Sequence, residues 1–256
     1  MNGLERFDLH GKTALVTGGG SGLGRAISIG LAQSGAVVVL VDKNLATAEE
    51  TLAEIERQGG SGLAVQADVT KSDEVRTALA TAVSAFQRVD VLVNCAGLTR
   101  RMPAEDFVES DWDLVIDVNL KGTFLCCRDV GKHMLENGGG SIINITSLGA
   151  HVAIVNSAAY CASKGGVAQL TKTLGVEWAA RGVRVNAISP GVFETPLLRQ
   201  CIEGDAAYGD RMLAKIPRGT FGKPEELVGP VVFLASDASS CVMAHILVVD
   251  GGYLAQ

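Results

Sequence analysis

Short apolar runs rich in valine, isoleucine and leucine recur along the 256-residue chain, at 13–17, 37–42, 63–68, 91–94, 141–146, 184–189 and 246–250. They are strand-sized and lack a polar face, as strands covered on both sides should be. Between them the apolar period changes. Leu23, Ile27 and Leu31 trace one helix face, as do Leu45, Ala48, Leu52 and Ile55, then Val75, Leu79, Val83 and Phe86, and later Val167, Leu170, Leu174 and Trp178. Alternating strand and helix predicts an α/β architecture: a doubly wound parallel sheet of about seven strands, helices on both faces and right-handed crossovers. The length suits one domain spanning 1–256, without linker or repeat. Residues 190–224 break the rhythm with Gly191, Pro196, Gly204, Gly209, Pro217, Gly219 and Gly222. That stretch is expected to be a long irregular substrate loop or lid, with 204–209 closing over bound substrate.

The first strand runs into Thr17-Gly18-Gly19-Gly20-Ser21-Gly22-Leu23-Gly24. A strand, a glycine turn and a helix start let the backbone approach a pyrophosphate and aim free N–H groups at it. Gly18, Gly20, Ser21, Gly22, Leu23 and Gly24 are therefore candidate dinucleotide contacts. Asp42 closes the second strand, where a carboxylate accepts from ribose hydroxyls and repels a 2′-phosphate. Lys43 beside it points the other way. The balance favours NAD, with NADP possible. Asp68-Val69 ends the third strand; the carboxylate can meet the adenine amine or simply cap the next helix. Asn94, Ala96 and Gly97 end the fourth strand with the small residues that a cofactor lying along backbone requires.

Tyr160 and Lys164 stand four apart and share a helix face. A free phenol, at about 10, is a poor base near neutrality, and an adjacent ammonium lowers it. Tyr160 is thus a candidate proton carrier and Lys164 its electrostatic partner. Ser147 follows the fifth strand at the same sheet edge, where its hydroxyl can hold a reacting oxygen.

In this order the motifs resemble the short-chain dehydrogenase/reductase family over essentially the whole chain. T-G-x-x-x-G-x-G matches Thr17 to Gly24, N-x-A-G matches Asn94 to Gly97, the family asparagine matches Asn119, the serine Ser147, and Y-x-x-x-K matches Tyr160 and Lys164. Pro190, Gly191, Val192 and Thr195 match the loop that meets the nicotinamide amide. The resemblance implies a Rossmann-type fold with Tyr160 as acid/base and Lys164 lowering its pKa while holding the nicotinamide ribose. It also implies that Ser147 orients the substrate, that Asn119 supports a water relay, that hydride passes without a metal, and that the assembly is a homotetramer or homodimer. The run Val242-Met243-Ala244-His245 departs from the family pattern, with Ala244 where a glycine is usual.

Two arginines, Arg100 and Arg101, follow the fourth strand. They look like those of the gluconate 5-dehydrogenase and 2-deoxygluconate 3-dehydrogenase subgroup. Adjacent extended residues point opposite ways, so Arg101 is expected to face the pocket and meet a substrate carboxylate; the alternative leaves both outside in salt bridges. His151 and Glu194 are further candidate substrate contacts. The expected activity is NAD-dependent oxidation of a secondary alcohol in a sugar acid or polyol. Its competitors are an NADP-dependent 3-oxoacyl-carrier-protein reductase and a nucleotide sensor without catalysis.

Composition narrows the partners. Apolar residues make up 47%, and net charge is −6. These argue for a folded chain that binds neither nucleic acid nor an anionic membrane. The start, 1–6, does not read as a signal peptide, and apolar runs such as 36–41 are too short to span a bilayer, so the cytoplasm is the expected compartment. Six cysteines without a C-x-x-C pair are expected reduced and mostly packed in the core, and four scattered histidines give no zinc spacing.

Overall fold

Apolar segments form seven strands, the five inner ones buried along most of their length and the two edge strands only partly: β1 (Thr13–Thr17), β2 (Val37–Asp42), β3 (Gly62–Gln66), β4 (Val91–Asn94), β5 (Gly140–Ile145), β6 (Val183–Pro190) and β7 (Ile246–Val249). In this computed structural model, which describes residues 3–256, they make one parallel sheet in the order β3-β2-β1-β4-β5-β6-β7. Met1 and Asn2, part of the start read above for a signal peptide, lie outside the described residues. Expected and observed strands agree within two residues at each end.

Strand side chains alternate between faces, and the two cores follow that alternation. Ala14, Val16, Val38, Leu40, Val91, Val93 and Ile143 join one layer with Ile27, Leu31, Val231 and Leu234. Leu15, Val39, Val41, Leu92 and Ile142 join the other with Val75, Leu125, Met134, Leu174 and Trp178. The first layer is covered by α1 (Gly22–Gln33), α2 (Leu45–Arg57) and α9 (Val228–Ala235). The second is covered by α3 (Ser72–Phe86), α5 (Thr123–Glu136) and α6 (Ala158–Trp178). Burying aliphatic side chains on both faces supplies the main driving force for closing the sheet.

The order in which successive strands are added reverses between β1 and β4, and Thr17 is in register with Asn94 there. A cleft therefore opens beyond the carboxyl ends of the strands. α4 (Glu109–Ile116) continues into α5 through a π-helical turn at Asp117–Gly122.

Residues 190–224 depart from the irregular loop expected. They contain α7 (Pro196–Gly204) and α8 (Tyr208–Leu213). Thr195 caps α7 by accepting the Leu198 N–H at 3.3 Å, and Pro196 takes the first turn, where its missing N–H costs nothing. Gly204 ends α7 and Gly209 lies within α8, so only 205–207 link the two helices.

The cysteine expectation holds in part. All six are free; Cys126 and Cys127 are buried, Cys95, Cys161 and Cys201 are partly exposed, and Cys241 is exposed. Cys95 and Cys201 escape the core because they lie on the cleft wall. Ala244 adopts φ +56°. An alanine thus holds the left-handed backbone that glycine accepts freely, at a cost of about 1–2 kcal/mol. Among the described residues no helix is long and apolar enough to cross a membrane.

Candidate active site

The glycine turn after β1 is fixed by contacts that exclude side chains. Gly18 has φ +67°, and a Cβ there would lie 2.9 Å from the Ala96 backbone. One on Gly24 would lie 2.0 Å from the Gly18 carbonyl oxygen. The turn delivers the chain to α1, whose N-cap Ser21 makes no side-chain cap and whose first turn carries no acid. The positive helix end thus faces the cleft without side-chain compensation, as a pyrophosphate requires. Thr17 Oγ1 accepts from the N–H groups of Cys95 (3.1 Å) and Ala96 (3.2 Å), tying the β1 and β4 ends together. In the sequence Thr17 stands out only as the first residue of the glycine motif.

These ends open on a cavity of about 620 Å³. Gly18, Ser21, Gly22, Leu23, Gly24, Asp42, Lys43, Asp68, Val69, Ala96 and Gly97 line it, as do Pro190, Gly191, Val192 and Thr195. Gly20 and Asn94 do not. Gly20 packs against Thr47, and its N–H holds Asp42 Oδ2 at 3.0 Å, so it orients the acid from behind. Asn94 turns into the sheet, where its Nδ2 donates to Asn144 Oδ1 at 2.8 Å; alternation along β4 sends it away from the cleft. Lys43 pairs with Asp68 Oδ2 at 2.9 Å, while Thr70 N–H and Oγ1 donate to Oδ1 at 2.9 and 2.7 Å. Burial opposes ionisation of Asp68, but these partners outweigh it and hold the carboxyl at about 2.

At the far end stand Ser147, Tyr160 and Lys164, all lining the same cavity. Ser147 follows β5, and Tyr160 and Lys164 project from one face of α6. Lys164 is buried and donates from Nζ to the Ile145 carbonyl at 2.7 Å, with Nζ 5.9 Å from the Tyr160 ring centroid. Burial pushes the Tyr160 phenol up to about 12, opposed by a hydrogen bond with Ser147. Burial also pushes the Lys164 ammonium down to about 8. Lys164 Nζ is directed at a backbone carbonyl, and desolvation is the largest influence on the phenol.

Asn119 sits in the π-helical turn, fully buried and behind the cavity wall. Its Oδ1 accepts the Leu98 N–H and its Nδ2 donates to the Leu98 carbonyl, both at 2.9 Å, and also to Ser163 Oγ at 3.1 Å. Asn119 thereby clamps the strand-end loop onto α6. Gly97 separates it from the ammonium: a Cβ on Gly97 would lie 3.3 Å from Asn119 Oδ1 and 3.6 Å from Lys164 Nζ.

Arg101 lines the cavity, whereas Arg100 pairs with Asp111 at 3.3 Å. Two expected substrate contacts lie elsewhere. His151 is exposed and off the cavity, because a 3₁₀ turn at Leu148–Ala150 carries the chain outward after Ser147. Glu194 is exposed because its neighbours Phe193 and Thr195 take the inward positions of an extended segment. Tyr208 and Met212 of α8 line this end; no motif singles them out, because the glycines and prolines of 190–224 mask the helix that presents them.

A family model described as "Enoyl-(Acyl carrier protein) reductase" matches residues 18–254. D-threitol dehydrogenase of Mycolicibacterium smegmatis is 45% identical over 247 residues, 96% of this chain and 94% of that protein. 2-Dehydro-3-deoxy-D-gluconate 5-dehydrogenase of Escherichia coli is 40% identical over 254 residues, 99% of each. The crystal structure of a gluconate 5-dehydrogenase from Burkholderia cenocepacia, in complex with NADP and tartrate, is similar at a TM-score of 0.95 and 38% identity over 100% of both chains. Such relatives share the whole length and fold of this chain and act on hydroxyl groups, so it belongs to the short-chain dehydrogenase/reductase family and is an oxidoreductase.

Proposed function

We propose that this chain catalyses hydride transfer between a nicotinamide dinucleotide and a secondary alcohol or ketone of a sugar acid or polyol, with NAD taken in preference to NADP. The observation that carries the reading is the shared cavity: a glycine-walled, uncompensated helix end opens on the same space as Ser147, Tyr160 and Lys164. The wall residues fit the dinucleotide: Gly18 at φ +67° packs directly on the Ala96 backbone, and the α1 start beside it carries no acid and no side-chain cap. The α1 turn would hold the pyrophosphate, Asp42 the adenosine ribose, Asp68 and Val69 the adenine side, and Pro190 to Thr195 the nicotinamide end. When bound, the nicotinamide supplies the hydride donor or acceptor.

The chain's own groups handle the oxygen and its proton. Ser147 orients the reacting oxygen. A phenol held at about 12 is protonated at neutral pH, ready to donate to a carbonyl oxygen. Accepting a proton from an alcohol needs the phenolate, which a charged Lys164 favours electrostatically. Asn119 holds the loop and α6 in the register that keeps Lys164 in place. α7 and α8 act as the lid, and the active assembly is a homotetramer or homodimer.

NAD preference rests on Asp42 at the cavity wall and on Lys43 being engaged by Asp68. The NADP held by the Burkholderia cenocepacia relative is the counterweight. The acid preference rests on Arg101. Of the three cations lining the cavity, Lys43 is paired and Lys164 serves the reaction; Arg101 forms no ion pair among the described residues. Tartrate in the same relative, a dicarboxylate, supports that class. The acyl-carrier reading suggested by the family description calls for a basic docking surface, against which stands a net charge of −6. A sensing role without chemistry leaves the complete Ser147, Tyr160 and Lys164 set unexplained.

The test is dinucleotide reduction by the purified protein with gluconate and 2-deoxygluconate beside uncharged polyols, each with NAD and with NADP. Faster turnover of the acids with NAD is expected. Turnover of neutral polyols alone would keep the reaction and remove the acid; faster turnover with NADP would overturn the role given to Asp42.

A further inference from the structure

The Arg101 guanidinium lies over the Tyr208 ring, its central carbon 4.1 Å from the ring centroid. Tyr208 is the first residue of α8, is buried, and lines the cavity. On its other side Arg101 Nη1 donates to Ser157 Oγ at 3.3 Å, and Ser157 immediately precedes α6, which carries Tyr160 and Lys164. The next backbone N–H, from Met102, donates to the Asn156 carbonyl at 3.0 Å. The arginine is thus held from two elements at once, a lid helix and the entrance to the catalytic helix.

A guanidinium has five N–H donors in one plane. Stacking uses its face and leaves the edges; Ser157 takes one N–H. The remaining edge is what a carboxylate engages in two-point fashion. An arginine free to swing would have to be ordered by each substrate, whereas one clamped between ring and hydroxyl is already in place.

We propose that Tyr208 is a positioning residue for acid recognition: its ring holds the Arg101 guanidinium so that the free edge grips the carboxylate of a sugar acid. This rests on the sugar-acid reading above. Two consequences follow from the geometry. The ring face is the main hold on the guanidinium, and the hydroxyl, which also interacts with Arg101, adds less. Tyr208 acts only through Arg101, so acid recognition is assembled when α8 lies against the strand-end loop.

The experiment compares wild type with Tyr208→Phe, Tyr208→Leu, Arg101→Ala and Arg101→Ala/Tyr208→Leu, using gluconate and an uncharged polyol at saturating NAD. The readout is the acid-to-polyol ratio of kcat/KM, together with gluconate binding by titration calorimetry. Tyr208→Leu should lower the ratio about tenfold, mainly through KM for gluconate, and weaken calorimetric binding by a similar factor. Tyr208→Phe should stay within about twofold of wild type. In the Arg101→Ala background, Tyr208→Leu should lower the ratio no further. The proposal is overturned if Phe is as damaging as Leu, if Leu harms both substrates alike, or if it acts equally without Arg101. A ratio lost in Arg101→Ala but kept in Tyr208→Leu sinks the role of Tyr208 alone; a ratio unchanged in Arg101→Ala sinks the acid reading itself.

Discussion

One end of the cavity is walled by backbone, the other by side chains. At the dinucleotide end, Gly18, Ala96 and Gly97 follow directly on buried strands, and added Cβ atoms at the glycines would meet backbone or the buried Asn119 and Lys164. At the end proposed for substrate, Arg101, Tyr208 and Met212 reach in from a loop and a short helix, and Arg101 lies over the Tyr208 ring. The first end cannot change without moving the sheet; the second can change one side chain at a time. This is why a family can keep one reaction and exchange substrates, and it sets what each region should tolerate.

The largest effect is expected where the ends meet. Tyr160→Phe removes the only hydroxyl that residue offers, and general acid–base catalysis contributes roughly 10²–10⁴-fold. Turnover should fall by about a thousandfold, while NADH fluorescence titration should still saturate on the proposal that the backbone end holds the dinucleotide. Turnover within tenfold of wild type would show that another group carries the proton.

Paired glycine substitutions sharpen the comparison at smaller scale. Gly18→Ala places a Cβ 2.9 Å from Ala96 at a φ of +67°. It should cost about 2 kcal/mol of stability or more, read by urea denaturation. Gly204→Ala, at the end of α7, meets nothing within 4 Å. It should be neutral or gain up to about 1 kcal/mol, since alanine has less backbone entropy to lose in a helix. Equal losses at the two sites would erase the distinction between a rigid and a permissive end.

The same distinction governs what could be read from the sequence. Backbone sites announce themselves through glycines and strand ends at fixed offsets, so the sheet, the turn and the positions of Asp42, Ser147, Tyr160 and Lys164 were all legible. The substrate end depends on where short segments turn. One 3₁₀ turn carried His151 away from the pocket, and an alternation in extended chain did the same to Glu194. α7 was legible in principle: Thr195-Pro196 is a helix-start signal, outweighed in the reading by the surrounding glycines. The Tyr160 phenol fell on the unread side for another reason. Sequence spacing puts Lys164 on its face but says nothing of burial, and burial decides its pKa.

Lys43→Ala should have the smallest effect, and it probes whether the dinucleotide end is as rigid as its backbone. Lys43 is 80% exposed and Asp68 18%, so the pair is worth about 1 kcal/mol or less. Asp68 is held at about 2, below the ordinary 3.8, so the unfolded chain takes up its proton first as pH falls. The stabilisation is therefore complete above about 3.8 and lost as pH drops through about 2. Thr70 still donates to Asp68 in the variant, so only a fraction should go. The difference from wild type in urea denaturation should be present at pH 5 and vanish toward pH 2. If Lys43 stays with Asp68 when a dinucleotide binds, the NAD-to-NADP ratio of kcat/KM should move less than about threefold. A large loss of NADP turnover would mean that Lys43 leaves Asp68 for the 2′-phosphate. Cofactor choice would then be made by a mobile side chain, in contrast to the held Arg101 proposed for the other end, and only the pyrophosphate cradle would remain a backbone site.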